Sequence, residues 1–438
     1  VGMLSLGCPK NLVDSEIILG LLKSRKYKLA RHVTECDIAL INTCAFIEDA
    51  RKESIDHILE LAQLKKEGKI QGLIVCGCLP QKYYQALQDE IGEIDAMVGT
   101  GEYSKIDSVI EAVLRGEKSV QVEDTRFIYD HSLPRYSLTP SHFKYIKIAE
   151  GCDHRCSFCI IPQLRGDYRS RPIASIVDEV TRYAREGTKE VNLISQDTSY
   201  YGRDLEGRYL LPDLLKALNE VESLEWIRLL YNHPFHMTDE ILDAMANYKK
   251  VCKYVDIPLQ HISDPMLKSM KRGMLKDKTA ALIARMREKV PGIAIRTTFI
   301  VGFPGETEKD FNELYDFVGE MRFERLGVFT YSRGDDQAAH FEGQIPEKIK
   351  KERKNMLLNR QQKISLENNR QYVGRTLEVL MDEVDQMTRV GKGRTYMDTP
   401  EVDGQVMVRS DKENIEAGQF YPVRIEKISE YDLMGRVM

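Results

Sequence analysis

Twice along this chain, short apolar runs alternate with amphipathic stretches, and that alternation restricts it to a layered α/β architecture. In the first series, residues 1–6, 37–42 and 72–77 read as strands, with helical segments at 14–23, 48–66 and 81–87. This pattern predicts a doubly wound parallel sheet. In the second series, strands are expected at 144–149, 190–195, 226–230, 253–257, 293–300 and 326–331, each followed by a helical pattern. Six β/α units make an open, partial barrel rather than the closed eight-unit form. Residues 125–141, with Pro134 and Pro140, separate the two series and read as a linker. Residues 346–371 form a long charged helix whose polar face is solvated. Beyond it the period changes. Short strands at 376–382, 405–408, 419–428 and 433–438, with Gly391, Gly393, Gly404 and Gly418 between them, predict a small all-β barrel of oligonucleotide-binding style. The expected division is 1–124, a linker at 125–141, 142–371 and 372–438.

Composition narrows the setting. A hydrophobic fraction of 42% with 30% charged residues is that of a soluble globular protein. No run of ~18 apolar residues exists, so no membrane span is expected. The apolar start stops at Gly7-Cys8-Pro9, too short for a signal peptide, and Val1 stands where an initiator Met would, as if a few residues were missing. The expected location is the cytoplasm. A net charge of −5 argues against a protein that lives on a nucleic-acid backbone, while leaving room for a local basic patch. Nine cysteines without a secretion signal point to metal or redox chemistry rather than to a disulfide framework.

Gly151-Cys152-Asp153-His154-Arg155-Cys156-Ser157-Phe158-Cys159 falls in the loop after the first strand of the second series, where such barrels place chemistry. Three thiolates spaced this way can wrap one face of a cubane iron–sulfur cluster and leave one iron without a protein ligand. That open iron can take the amine and carboxylate of a small molecule. A zinc knuckle is the competing reading, but it needs a fourth ligand, and His154 inside the loop is poorly placed for it. Cys8, Cys44 and Cys78 are far apart in sequence, yet each falls one or two residues after a predicted parallel strand. The C-terminal ends of parallel strands share one edge, so these thiols are expected to converge on a second three-ligand site. Coincidence is the competing reading, because Cys is often buried in sheets; Cys36, Cys76 and Cys252 are read in that way.

The Cys152–Cys156–Cys159 spacing, with Phe158 before the last thiol at the start of a β/α barrel, resembles the radical S-adenosylmethionine superfamily. The resemblance implies a 4Fe–4S cluster on these three cysteines that chelates the methionine part of S-adenosylmethionine, with Phe158 near the adenine. It further implies cofactor contacts from Gln196 after the second strand, Gln260 after the fourth, Arg296 in the fifth and Gly302 after the fifth. With the three-cysteine domain in front and the small TRAM-like barrel behind, the whole chain resembles the methylthiotransferase family. There a second 4Fe–4S cluster, matched by Cys8, Cys44 and Cys78, holds sulfur, and S-adenosylmethionine serves both as methyl donor and as the source of a 5′-deoxyadenosyl radical. Gly7-Cys8-Pro9-Lys10-Asn11-Leu12-Val13-Asp14-Ser15-Glu16 is similar to the RimO branch. That branch modifies the β-carbon of an aspartate in the twelfth small-subunit ribosomal protein; another branch modifies an isopentenylated adenosine in tRNA. Residues 331–339 depart from the Glu-rich stretch usual in the family. The implied partners are the ribosomal protein, a sulfur donor and an electron donor, with contact to RNA left open.

Charge bears on the same choice. Residues 372–438 hold nine Lys/Arg and thirteen Asp/Glu, a net −4. An acidic barrel suits a basic protein partner better than tRNA, and ordinary surface acidity is the alternative. From another class, a cluster-bearing RNA-binding protein without catalysis would have the same domains. Its structural clusters would normally have four ligands each.

Overall fold

Residues 1–123, 125–411 and 414–438 are described by a computed structural model of the chain; residue 124, the last of the expected first domain, lies outside them. The first sheet has five parallel strands in chain order: Gly2–Ser5, Ile38–Thr43, Gly72–Gly77, Ala96–Val98 and Ser119–Gln121. Every residue of the second and third strands is buried, as strands covered on both faces require. Ala39, Ile41, Leu73 and Val75 pack on Ile58, Leu61 and Leu87 of helices Glu48–Lys66 and Cys78–Glu90. Ile38, Leu40, Ile74 and Val98 pack on Ile18, Leu22, Ile106 and Ile110 of helices Pro9–Ser24 and Ile106–Leu114 on the other face.

Two boundaries differ from expectation in a way that matters for the site. Helix Pro9–Ser24 begins ahead of the predicted residue 14, because Pro is at home in the first turn of a helix. Helix Cys78–Glu90 likewise begins ahead of residue 81, so Cys8 immediately precedes one helix and Cys78 opens another. The last two strands of the sheet, at three residues each, are too short to show a period and were not expected.

The central sheet has six parallel strands in chain order: Phe143–Lys147, Glu190–Ile194, Trp226–Leu229, Val251–Asp256, Ala294–Val301 and Arg325–Thr330. A two-stranded ribbon, Ala149–Glu150 with Arg169–Ser170, closes the base of the cysteine-rich loop. Helix Glu347–Arg370 packs on this body through Leu357 and Ile364.

The last domain is a closed five-stranded barrel of Thr376–Asp385, Val390–Arg394, Val406–Arg409, Phe420–Ile428 and Leu433–Val437. The second of these was not expected, because Gly391 and Gly393 read as inter-strand glycines. They are strand residues at a point of close approach: a Cβ on Gly393 would lie 2.5 Å from the Leu380 carbonyl oxygen. The barrel packs on the central sheet. Leu380, Met397 and Phe420 share a core with Tyr145, Trp226 and Tyr254, and with Val13 and Ile17 of the first helix. Buried ion pairs pin it there: Glu190 holds Arg228 at 2.8 Å and Arg394 at 2.7 Å, Asp398 pairs with Arg325, and Asp403 with Arg296 at 3.2 Å. Part of the barrel's acidity is therefore turned inward onto cations of the sheet.

The expected linker carries neither helix nor strand, but it is strapped down. The buried side chain of Arg135 pairs with Glu16 at 2.5 Å and Glu179 at 3.0 Å. Among the described residues no helix is long and apolar enough to cross a membrane.

Candidate functional site

Cys8, Cys44 and Cys78 converge where the expectation put them, at the C-terminal edge of the first sheet. The strand that leads to Cys8 pairs with the one that leads to Cys44, and this in turn with the strand that ends at Gly77. Gly7 turns the chain with φ +88°, and a Cβ there would lie 2.8 Å from Cys44 Cβ. Gly7→Ala is therefore expected to cost about 1–3 kcal/mol, read as a fall in the urea midpoint, because a left-handed backbone and a collision on Cys44 add together. Asn11 braces the turn by donating to the carbonyls of Leu6 at 3.3 Å and Thr43 at 2.9 Å.

Cys152, Cys156 and Cys159 occupy the loop above the first central strand. Cys152 N–H donates to the Gly166 carbonyl at 3.1 Å and Cys159 N–H to the Cys156 carbonyl at 3.1 Å, which folds the loop back on itself. None of the nine cysteines is paired in a disulfide.

The surroundings of both sets suit iron–sulfur ligation. The Arg272 guanidinium donates to Cys156 Sγ at 3.6 Å, Arg165 to Cys78 Sγ at 3.6 Å and the Ile161 N–H to Cys159 Sγ at 3.5 Å. Such N–H donors support thiolate ligands. Burial first, and then the neighbouring thiols, push the Cys44 thiol up to about 12; burial also pushes Cys152 up to about 12. Three thiolates in so dry a place need a cationic core to stay deprotonated.

One side chain joins the two sets. Arg165 ends the short helix Ile161–Arg165, six residues after Cys159, and reaches the first domain. Besides Cys78 it donates to Asn11 Oδ1 at 2.6 Å, Asp14 Oδ2 at 2.9 Å and Glu150 at 3.1 Å. Lys147 pairs with both Asp14 and Glu150, and Gln196 Nε2 donates to Glu150 Oε1 at 2.6 Å. Burial alone would raise the Glu150 pKa, but Arg165 and Lys147 outweigh it and hold the carboxyl well below its ordinary range.

The other predicted residues fall in different places. Phe158 packs on Met266, Met270, Phe303 and Tyr331. Gln260 takes a left-handed backbone, φ +73°, and its main chain bridges to Thr298 and Ile300. Arg296 is held by Asp256 at 2.9 Å and by Asp403 of the terminal barrel. Gly302, φ +71°, faces helix Glu347–Arg370, and a Cβ would run into Lys350. The structure thus brings Gln196 to the junction of the cysteine sets, while Gln260 and Gly302 belong to the opposite half of the sheet.

Asn11, Asp14, Glu150 and Arg165 were not singled out from the sequence. For Asn11 and Asp14 the signals were their place in the RimO-like run and the polar residues 10–11 and 14–16 of a helix that is nonetheless buried, whereas Glu150 and Arg165 lie outside that helix. A second group was missed as well. His154, Asp197, His233 and His236 line a cleft of about 340 Å³ beside Cys152. His154 and His236 each donate to Asp197 Oδ2 at 2.8 Å, and Ser199 donates to its Oδ1 at 2.7 Å. Burial would raise the Asp197 pKa, but the bonds from the two imidazoles hold it well below the carboxylate range. The Phe235 N–H donates to His233 Nδ1, and Asp197 is the hydrogen-bonded hub of the group. His154 is thus turned toward Asp197.

Known proteins resemble the chain along its whole length. Residues 1–99 match the uncharacterized protein family UPF0004, residues 146–318 the radical SAM superfamily and residues 373–438 the TRAM domain. The ribosomal protein uS12 methylthiotransferase RimO of Desulforamulus reducens is 48% identical over 100% of this chain and 99% of its own length. Those of Caldanaerobacter subterraneus and Clostridioides difficile are 47% and 45% identical, over 99% and 100% of this chain and 99% and 98% of their own. Among solved structures, the radical S-adenosylmethionine methyltransferase TsrM from Kitasatospora setae, with cobalamin and a [4Fe-4S] cluster bound, shares the fold. The TM-score is 0.55 at 16% identity, over 83% of this chain and 72% of that one.

Proposed function

Because the chain belongs to the RimO family of ribosomal protein uS12 methylthiotransferases, we propose that it adds a methylthio group to the β-carbon of an aspartate in uS12. The observation that carries the reading is Arg165, which follows the Cys152–Cys159 loop and touches Cys78, so both cysteine sets border one buried polar network. Cys152, Cys156 and Cys159 would hold a cluster that supplies an electron for reductive cleavage of S-adenosylmethionine, and Cys8, Cys44 and Cys78 would hold a second one that carries the sulfur.

The protein's own residues do the rest. Gln196, oriented by Glu150, presents its amide at the end of the second central strand, suited to the polar end of S-adenosylmethionine. Phe158, on its apolar bed, offers a face for the adenine. Arg165, Lys147, Asp14 and Glu150 balance two cations against two carboxylates and set one cysteine set against the other. Sulfur and electrons are consumed in each turnover, so a sulfur donor and an electron donor are needed as partners.

A competition under strict anaerobiosis tests the substrate. Reconstituted enzyme with S-adenosylmethionine, reductant and sulfide is offered a peptide of the uS12 aspartate loop together with isopentenylated tRNA. The expected mass spectrum shows the methylthio adduct on the peptide alone. An adduct on the tRNA alone would keep the chemistry and reject the substrate.

A further inference from the structure

Lys10 is a buried amine that pairs with no carboxylate among the described residues. It stands two residues after Cys8, in the first turn of helix Pro9–Ser24, and is only 8% exposed. Its ammonium sits 3.1 Å from the centre of the Tyr231 ring, and its one hydrogen-bond acceptor among the described residues is the Ser195 carbonyl at 3.5 Å. An ammonium has three donors, and burying it with so few partners is costly.

The carboxylates nearby are already committed. Asp14 takes Lys147 and Arg165, and Glu150 takes Lys147, Arg165 and Gln196. Asp256 takes Arg296 and the Tyr231 N–H at 3.0 Å. Among the described residues, none pairs with Lys10. Tyr231 itself holds a left-handed backbone, φ +60°, a conformation that a bulky residue keeps only where its surroundings impose it. Lys10 therefore combines three properties of a receptor: it is dry, it is held over an aromatic face, and its donors are free for an incoming oxygen anion. It stands between Cys8 and the ends of the second and third central strands.

We propose that Lys10 receives the β-carboxylate of the substrate aspartate, so that the enzyme reads the acid and rejects its amide. The assignment rests on the uS12 reading above. It also explains how one carbon among many is chosen: a carboxylate anchored on Lys10 fixes the adjacent β-carbon beside Cys8.

The test is a binding cycle with two peptides and three proteins. Cluster-reconstituted enzyme with S-adenosylmethionine, held without reductant, is titrated anaerobically with a labelled uS12-loop peptide carrying the aspartate and with its asparagine counterpart. The wild type is expected to prefer the aspartate peptide by about 30-fold or more, as for a desolvated charge pair. Lys10→Met, which keeps the volume, and Lys10→Gln, which keeps a donor, are both expected to bind the two peptides within about threefold of each other. Bound iron and melting temperature report whether each variant is folded, and either folded variant suffices. An undiminished aspartate preference in a folded variant overturns the proposal and leaves Lys10 to serve Cys8 alone. Equal binding by the wild type overturns it too. If the wild type binds neither peptide, the uS12 reading itself fails.

Discussion

Cys156→Ala is expected to lower the formation of 5′-deoxyadenosine from S-adenosylmethionine by more than about 100-fold, whereas Cys44→Ala is expected to keep it and lose methylthio transfer by as much. The scale follows from metal sites in general, where losing a mere supporting partner of a ligand already costs 10–100-fold. Cys156 is buried, receives the Arg272 guanidinium and cannot be replaced from nearby, since His154 is spent on Asp197. Cys44 lies across the junction. Its N–H donates to Ser54 Oγ at 3.1 Å, and its removal leaves the Cys152–Cys159 loop and its bonds untouched. The two products are read from one reaction, deoxyadenosine by chromatography and the methylthio adduct by mass spectrometry. If Cys44→Ala lost both products while its Cys152–Cys159 cluster kept a normal EPR signal, the division of labour between the two sets would be wrong.

The cysteines were legible because backbone geometry alone gathers them. Parallel strands end on one edge, so thiols one to three residues past three strands have to meet, whatever the side chains between them do. The alternation of apolar runs likewise exposed both parallel sheets, since strands buried on both faces leave an unbroken apolar signature. Lys10, Asp14, Glu150 and Arg165 were not legible for the opposite reason. Arg165 meets Asn11 across 154 positions of sequence, and nothing local to either residue announces the other. Pro9 also disguised the helix that carries Lys10, because a proline among polar residues reads as loop until its place in the first turn is known. Asp398 and Asp403 show how a charge count misleads. They add to the barrel's acidity in sequence, yet in the fold they neutralise Arg325 and Arg296 of the central sheet. The acidic barrel is thus a weaker argument for a basic partner than the count suggested, and the relatives carry the substrate assignment instead.

Arg165→Met is expected to destabilise the protein by about 3–5 kcal/mol at neutral pH, the usual cost of stripping one partner from a buried ionic network. Arg165 is 2% exposed, and its loss leaves Lys147 alone between Asp14 and Glu150. The pH dependence has a definite sign. In the wild type the Glu150 pKa lies below its ordinary 4.5, so its stabilising share is present above that pH and is lost as the pH falls toward the depressed value. Without Arg165, burial gains the upper hand, the pKa rises and the carboxyl takes up a proton more readily in the folded state than in the unfolded chain. The gap between wild type and variant should therefore narrow on acidification. Urea unfolding of both proteins in parallel at about pH 7.5 and pH 5.5 reads it directly. A gap that is constant with pH would mean that Glu150 does not depend on Arg165 for its charge. Function should separate from stability in the same variant: at a temperature where it is folded, S-adenosylmethionine cleavage persists while methylthio transfer falls, because the residue that ties Cys78 to Glu150 is gone. Equal loss of both would make Arg165 a structural brace and nothing more.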